Sequence, residues 1–200
     1  MALNFNKDAE YTLEDDSVLL RSLQLTDVPN LLAISVNEPE TWDYSSKSAT
    51  GEEALKAYIE EAITARAGGA EYAFIVYDKT TQASAGSIRF YDIQPQNGAL
   101  QLGFTWYGKD FRGTGLNKQC KFLLLQFAFE TLGAERVEFR ADNRNDRSIA
   151  AMKSIGCTVE GIIRSHMPLQ DGTRRDSIIL SILKDEWHNT VKKNLKNKLR

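Results

Sequence analysis

The residues best placed to do chemistry are Arg112, Gly113, Thr114 and Gly115. They form a short turn inside Ala99 to Glu130 (ALQLGFTWYGKDFRGTGLNKQCKFLLLQFAFE), between an alternating apolar stretch and a long apolar run. Glycine takes positive φ without a Cβ penalty and lets a ligand come close to the backbone. The first amides of a helix starting here lack intrahelical acceptors, and the helix dipole adds partial positive charge beside them. Such a turn suits an anion, phosphate first. Spacing argues against two nucleotide folds. Gly115 is followed by Leu116 and Asn117 rather than the Lys-Ser/Thr of a P-loop, and a dinucleotide fingerprint needs a third glycine at an earlier strand-to-helix turn.

Positioning this turn requires a strand before it and a helix after it. Leu100, Leu102, Phe104 and Trp106 alternate with Gln101, Gly103 and Thr105, the period of two of a pleated strand. From Thr114 to Leu132 the period is helical, with Leu116, Cys120, Leu123, Leu124 and Phe127 on one face and Phe122, Leu125 and Phe129 opposite. A helix apolar on both sides is covered twice, by its own sheet and by another element or a second subunit, so a homodimer is one expectation.

The flanking chain supplies the rest of a sheet. Residues 1–16 read as a polar, aperiodic arm, and Ser17 to Leu23 as a first strand. Thr26 is the expected N-cap of a short helix through about Ser35, and Thr50-Gly51-Glu52-Glu53 a capping box for a second helix ending near Gly68-Gly69. Between them lies a loop with Trp42 and Tyr44. Strands are expected at Glu71 to Asp78, Ala83 to Ile93, Glu135 to Ala141, Cys157 to Met167 and Arg174 to Leu183, the last two around an Asp171-Gly172 turn. Asp142 to Ser154 reads as a capped helix, and Lys184 to Arg200 as a helical segment ending in a basic tail. The order β-α-α-β-β-β-α-β-α-β-β predicts an α/β fold, a single-domain mixed sheet flanked by helices.

Two hundred residues suit one such domain, and a net charge of -2 gives no electrostatic case for a general nucleic-acid binder. Cys120 and Cys157 match no metal-ligand spacing and read as buried thiols, so no metal is expected. No charged-then-apolar leader and no apolar run near the ~18 residues of a membrane span is present, which points to a cytoplasmic protein.

Five ordered blocks, LQLGFTW, RGTGLNKQCKFLLLQFAFE, RVEFRADNRNDRS, IGCTVEGIIR and DGTRRDSIILSILKDEW, resemble the GNAT superfamily of N-acetyltransferases, and its RimJ/RimL-type branch most. The resemblance spans about residues 17–187, leaving the arm at 1–16 and a basic tail at 188–200. It implies a mostly antiparallel GNAT-type sheet and acetyl-CoA as donor, with an amine acceptor. The family's Q/R-x-x-G-x-G/A motif falls on Arg112, Gly115 and Asn117, where Asn117 replaces the usual small residue. The resemblance places the diphosphate on Phe111, Arg112, Gly113, Thr114, Gly115, Leu116 and Asn117. It places the pantetheine arm along a bulged strand at Phe104, Thr105 and Trp106, with Gly103 as the local sign of a bulge. It also assigns Asn145 and Ser148 (the N-x-x-S pattern) to the donor and to catalysis, with the Ser148 hydroxyl near the sulfur.

Amine attack on a thioester needs a base for the ammonium proton, a donor to the oxyanion and an acid for the thiolate. Many relatives carry a glutamate where this chain has Gln101, and an amide cannot serve as a base. Glu38, Glu160 and His166 are the candidate replacements. Trp42, Tyr44 and Gln101 are assigned to the acceptor pocket. A protein N-terminus is the first acceptor class. The alternatives are a small amine (amino acid, polyamine or antibiotic) and a catalytically weak CoA-binding module.

Overall fold

Alternating β-branched and aromatic side chains build eight strands, described with the rest of the chain in a computed structural model covering residues 2–45, 47–169 and 171–199. The strands are β1 (Thr12–Glu14), β2 (Val18–Ser22), β3 (Tyr72–Asp78), β4 (Ala83–Gln94), β5 (Ala99–Tyr107), β6 (Arg136–Asp142), β7 (Thr158–Pro168) and β8 (Arg174–Leu183). They form one sheet in the order β1-β2-β3-β4-β5-β6-β8-β7. Every neighbouring pair is antiparallel except β5 and β6, as expected for a mixed, mostly antiparallel α/β sheet.

Strand parity divides the core in two. Phe74, Ile88, Phe90, Leu100, Leu102, Val137, Phe139 and Leu180 point to one face, where α3 (Leu116–Gln126) and α4 (Asp146–Ser154) cover them. Ala73, Ile75 and Trp106 point to the other, under α1 (Val28–Asn37) and α2 (Glu52–Ala67).

Three local expectations change. Thr26 does not cap α1: the chain first makes a 3-10 turn, Leu25–Asp27, and the buried Asp27 ends it. The Asp27 carboxylate accepts from the Gln24 amide and from Asn30, and pairs with Arg21 at 2.6 Å. A buried carboxylate with three donors is worth more here than an exposed threonine cap. The Thr50 capping box is absent, because Gly51 at φ 90 precedes α2 and the Thr50 hydroxyl bonds Ser48 instead. The helix expected from Asp142 begins only at Asp146, since Asp142 ends β6 and binds the amide and guanidinium of Arg144.

Both ends of the chain are built in. Residues Thr12–Glu14 pair with β2, Leu3 is buried, and Arg66 donates to the carbonyls of Lys7 and Ala9. At the other end, Lys184–Glu186, a π-helical turn Trp187–Val191 and Lys192–Lys196 run end to end. Trp187 is fully buried, stacks on Phe129 at 5.5 Å between ring centroids and donates Nε1–H to Glu130. The outer face of α3 and its continuation is therefore covered by the chain's own C-terminal segment. Trp187→Ala is expected to cost about 3–5 kcal/mol, read as a lower denaturant midpoint. A shift of a few tenths would mean that the segment is only loosely docked.

Candidate active site

β5 and β6 pair only from Ala99 to Gln101 against Arg136 to Glu138. Beyond that point Phe104 to Tyr107 and Phe139 to Asp142 form opposite walls of a cleft of about 990 Å³. A bulge shapes the β5 wall. Ser87 pairs with Trp106 and Arg89 with Gly103, so Phe104 and Thr105 together oppose Ile88. Phe104 takes φ 46, and the extra residue leaves backbone groups outside the ladder. Gly103 has a second reason to be glycine: a Cβ there would lie 2.9 Å from the Tyr91 ring of the neighbouring strand.

On the α3 face, the turn after β5 brings Phe111, Arg112, Gly113, Gly115 and Asn117 to the cleft. Gly113 and Gly115 take φ 77 and φ 93. Among the described residues the amides of Gly113, Thr114, Gly115 and Asn117 find no acceptor, as a diphosphate cradle requires. The Thr114 hydroxyl donates to the Phe111 carbonyl, and the Leu116 side chain is buried in the core, so neither side chain lines the cleft. Arg112 is turned into the protein: Nε donates to the Tyr107 carbonyl, Nη2 to Thr41, and Glu38 lies 3.6 Å away. Its charge is shared between the turn and the loop after α1. Asn145 caps α4 with Oδ1 on the Ser148 amide at 3.0 Å. That leaves the Ser148 hydroxyl in the cleft lining with no protein partner among the described residues.

The opposite mouth, on the α1/α2 face, has an aromatic wall and a basic wall. Trp42, Tyr58 and Trp106 pack ring against ring, with Trp42 and Trp106 centroids 5.0 Å apart, and Tyr44 stands half-exposed at the rim. Facing them, Arg140, Arg175 and His166 line the β6, β8 and β7 side. Glu138 holds Arg140 at 2.7 Å, whereas Arg175 has a single hydrogen bond, to Ser177, and no salt bridge within 4 Å among the described residues, although the charge of Asp142 reaches it. Ser177 also meets His166 Nδ1 at 2.9 Å. Burial first, then the nearby Arg140, Arg175 and Arg174, lowers the His166 pKa below its usual 6.5. Burial pushes Tyr91 up to about 12, so its hydroxyl stays protonated.

Of the three candidate bases, His166 alone lines the cleft. Glu38 is buried on the Lys109 amide at 2.7 Å, and Glu160 pairs with Arg136 at 2.6 Å on the bare sheet face. Gln101 is buried, donates to Asp92 at 2.6 Å and lies outside the cleft lining. Lys121, Arg140 and Arg175 are cleft residues that sequence reasoning passed over.

Comparison with known proteins agrees with this geometry. Residues 17–158 match the model of the Acetyltransferase (GNAT) domain. Over 102 residues (51% of this chain and 55% of the relative's own length) the sequence is 31% identical to the "Putative ribosomal N-acetyltransferase YdaF" of Bacillus subtilis. A crystal structure of a "putative acetyltransferase" from T. thermophilus superposes with a TM-score of 0.84 at 35% identity, covering 94% of this chain and 97% of that one. The microcin C7 self-immunity acetyltransferase MccE, solved with acetyl-CoA and AMP, shares the fold at 20% identity, with a TM-score of 0.75 over 84% of this chain and 93% of its own. By the match over residues 17–158, this chain belongs to the GNAT acetyltransferase family.

Proposed function

We propose that this acetyltransferase moves an acetyl group from acetyl-CoA to a primary amine, in the manner of the RimJ/RimL-type branch, and that the acceptor carries a carboxylate beside its amine. The N-terminus of an acidic peptide is the leading class, and a free amino acid is the second. The observation that carries the donor half is the slot between β5 and β6, with unpaired amides of the turn before α3 at one mouth. The one that carries the acceptor half is Arg175, a cation on the other mouth that makes no salt bridge among the described residues, the nearby Asp142 being bonded to Arg144.

Bound acetyl-CoA supplies an activated acetyl thioester. The amides of Gly113, Thr114, Gly115 and Asn117 hold its diphosphate, and the bulge at Phe104 and Thr105 offers the arm free backbone groups. On the acceptor side, Trp42, Tyr58 and Trp106 exclude water from one flank, while Arg175 orients a carboxylate. The positive wall also disfavours the ammonium form of the acceptor and so raises the fraction that can attack. His166, held neutral at pH 7, takes the proton that the attacking amine loses. Ser148 donates a hydrogen bond towards the departing sulfur.

The reading is tested with free-amine peptides carrying Asp or Glu against Asn or Gln at the second position, beside amino acids, their amides and polyamines. Acidic peptides should lead by at least about tenfold in kcat/KM, and Arg175→Gln should erase the preference. Saturable CoA binding with no acetylated member in the panel would leave a CoA-binding module instead.

His166 gives a separate expectation with a defined sign. A base acts when unprotonated, and this imidazole titrates below 6.5, so kcat should fall below that pH and level off towards neutrality. His166→Gln should lower the plateau by about a hundredfold and remove the acid limb. An unchanged acid limb would assign the proton to another group.

A further inference from the structure

Lys121 is the buried titratable group that the proposed mechanism leaves unused. It sits on the inner face of α3, only 5% exposed, yet it lines the cleft. Its Nζ donates to Thr105 Oγ1 at 3.1 Å, in the bulge of β5, and lies 5.2 Å from the centroid of the Phe139 ring on β6. It therefore spans the closed end of the slot, touching both strands just where they part. Among the described residues no carboxylate pairs with it, and Thr105 is its one hydrogen-bond partner. A buried ammonium without a counter-ion is costly. The titratable groups packed against it are two thiols, Cys120 on α3 and Cys157 after α4, and burial pushes Cys157 up to about 12, so it offers no negative charge.

An anion that arrives only during turnover fits these facts. We infer that the Lys121 ammonium receives the sulfur of the donor: it faces the thiolate released when the C–S bond breaks and passes a proton to it. This rests on the donor reading above, in which the arm runs along Phe104 to Trp106. The step balances without any further reactant. The amine nitrogen bonds to the carbonyl carbon, the C–S electron pair goes to sulfur, and the proton from Lys121 makes the thiol. Lys121 is left as a neutral amine and recovers a proton from water, while the proton lost by the acceptor leaves through His166. Burial already lowers the Lys121 pKa to about 8, close to the ~8.5 of a free thiol; their pairing favours ammonium with thiolate, and the proton crosses as the pair separates on product release. Ser148 and Lys121 then act together on the sulfur, one as hydrogen-bond donor and the other as charge.

The test needs no acceptor. Coenzyme A bound to the protein is titrated by thiolate absorbance, in the parent, Lys121→Met and Lys121→Arg. An opposite charge at about 4–6 Å should bring the pKa of the bound thiol down by about one to three. The lowering should persist in Lys121→Arg and vanish in Lys121→Met, which keeps the length of the side chain. A thiol that titrates identically in the parent and Lys121→Met overturns the inference. A second measurement uses the parent alone. Coenzyme A should gain affinity over desulfo-coenzyme A as pH rises to about 8.5, by roughly fivefold if binding lowers the thiol pKa by one and about fiftyfold if by two. Equal pH dependence of the two ligands also overturns it. Failure of both ligands to bind removes the donor site, and this inference with it.

Discussion

Gly115→Val should lower affinity for coenzyme A by at least about a thousandfold, measured by calorimetry, while the protein stays folded. Gly115 sits at φ 93 immediately before α3, where a β-branched side chain is sterically excluded. Valine has to bring φ to a negative value, and that rotation swings the Gly115 and Leu116 peptide planes away from the cleft. Three or four amides that face one diphosphate would then no longer converge. Each hydrogen bond to a charged group contributes about 1.5–3 kcal/mol, so three lost bonds reach the stated factor even at the lower figure. The Gly113→Ala variant isolates strain from geometry. Its φ of 77 is also left-handed, but a Cβ there meets nothing within 4 Å, so the turn keeps its shape. It should lose less than about tenfold. Undiminished binding by Gly115→Val would move the donor site elsewhere.

The turn was legible because its chemistry is local. Two glycines, a helix start and an alternating strand before it are all set by short-range sterics and periodicity, and β8 starts where the Asp171-Gly172 turn signal places it. What escaped depends on distant partners. Residues 1–16 look aperiodic because Leu3, Phe5 and Tyr11 are anchored one at a time onto the core, and a three-residue edge strand is too short to show a period. The basic C-terminal segment hides Trp187, Val191 and Leu195, spaced four apart, which are buried while Lys193 and Lys196 are exposed. Thr26 lost its cap to Asp27 because Arg21, on the neighbouring strand, supplies a bidentate partner that local sequence cannot reveal.

The site divides the same way. Asn145 is both cap and cleft residue, and a capping preference finds it. Gln101 drew attention through its position in a motif, yet its own strand turns it onto Asp92. Arg140 and Arg175 gave no sign in one dimension. They meet His166 only because β8 lies between β6 and β7 in the sheet, an order that single-strand patterns do not specify. Arg112 illustrates the converse. Heading an anion turn suggested a ligand contact, but its donors close a bridge from the turn to Thr41. The loop bearing the aromatic wall is thus tied to the turn before α3 through one side chain.

Gly86→Ala is expected to be the most damaging single methyl group in the chain, costing more than about 4 kcal/mol or preventing soluble folding. Gly86, on β4 at φ 152, pairs with Tyr107. A Cβ there would lie 2.0 Å from the Trp106 carbonyl oxygen, a backbone atom that cannot swing aside. Relief demands that β4 and β5 separate at the rung next to the bulge, the feature that opens the slot. Tyr107 and Trp106 anchor that rung to the two opposite cores, so neither layer can yield without loosening its packing. Gly161 supplies the control: it has φ 158 on β7, nearly the same backbone conformation, but a Cβ there meets nothing within 4 Å. Gly161→Ala should cost no more than the backbone strain, about 1–2 kcal/mol, by the same denaturant titration. Similar losses in both variants would mean that positive φ alone is being penalised, and that the close approach of β4 to Trp106 is not what holds the upper half of β5 away from β6.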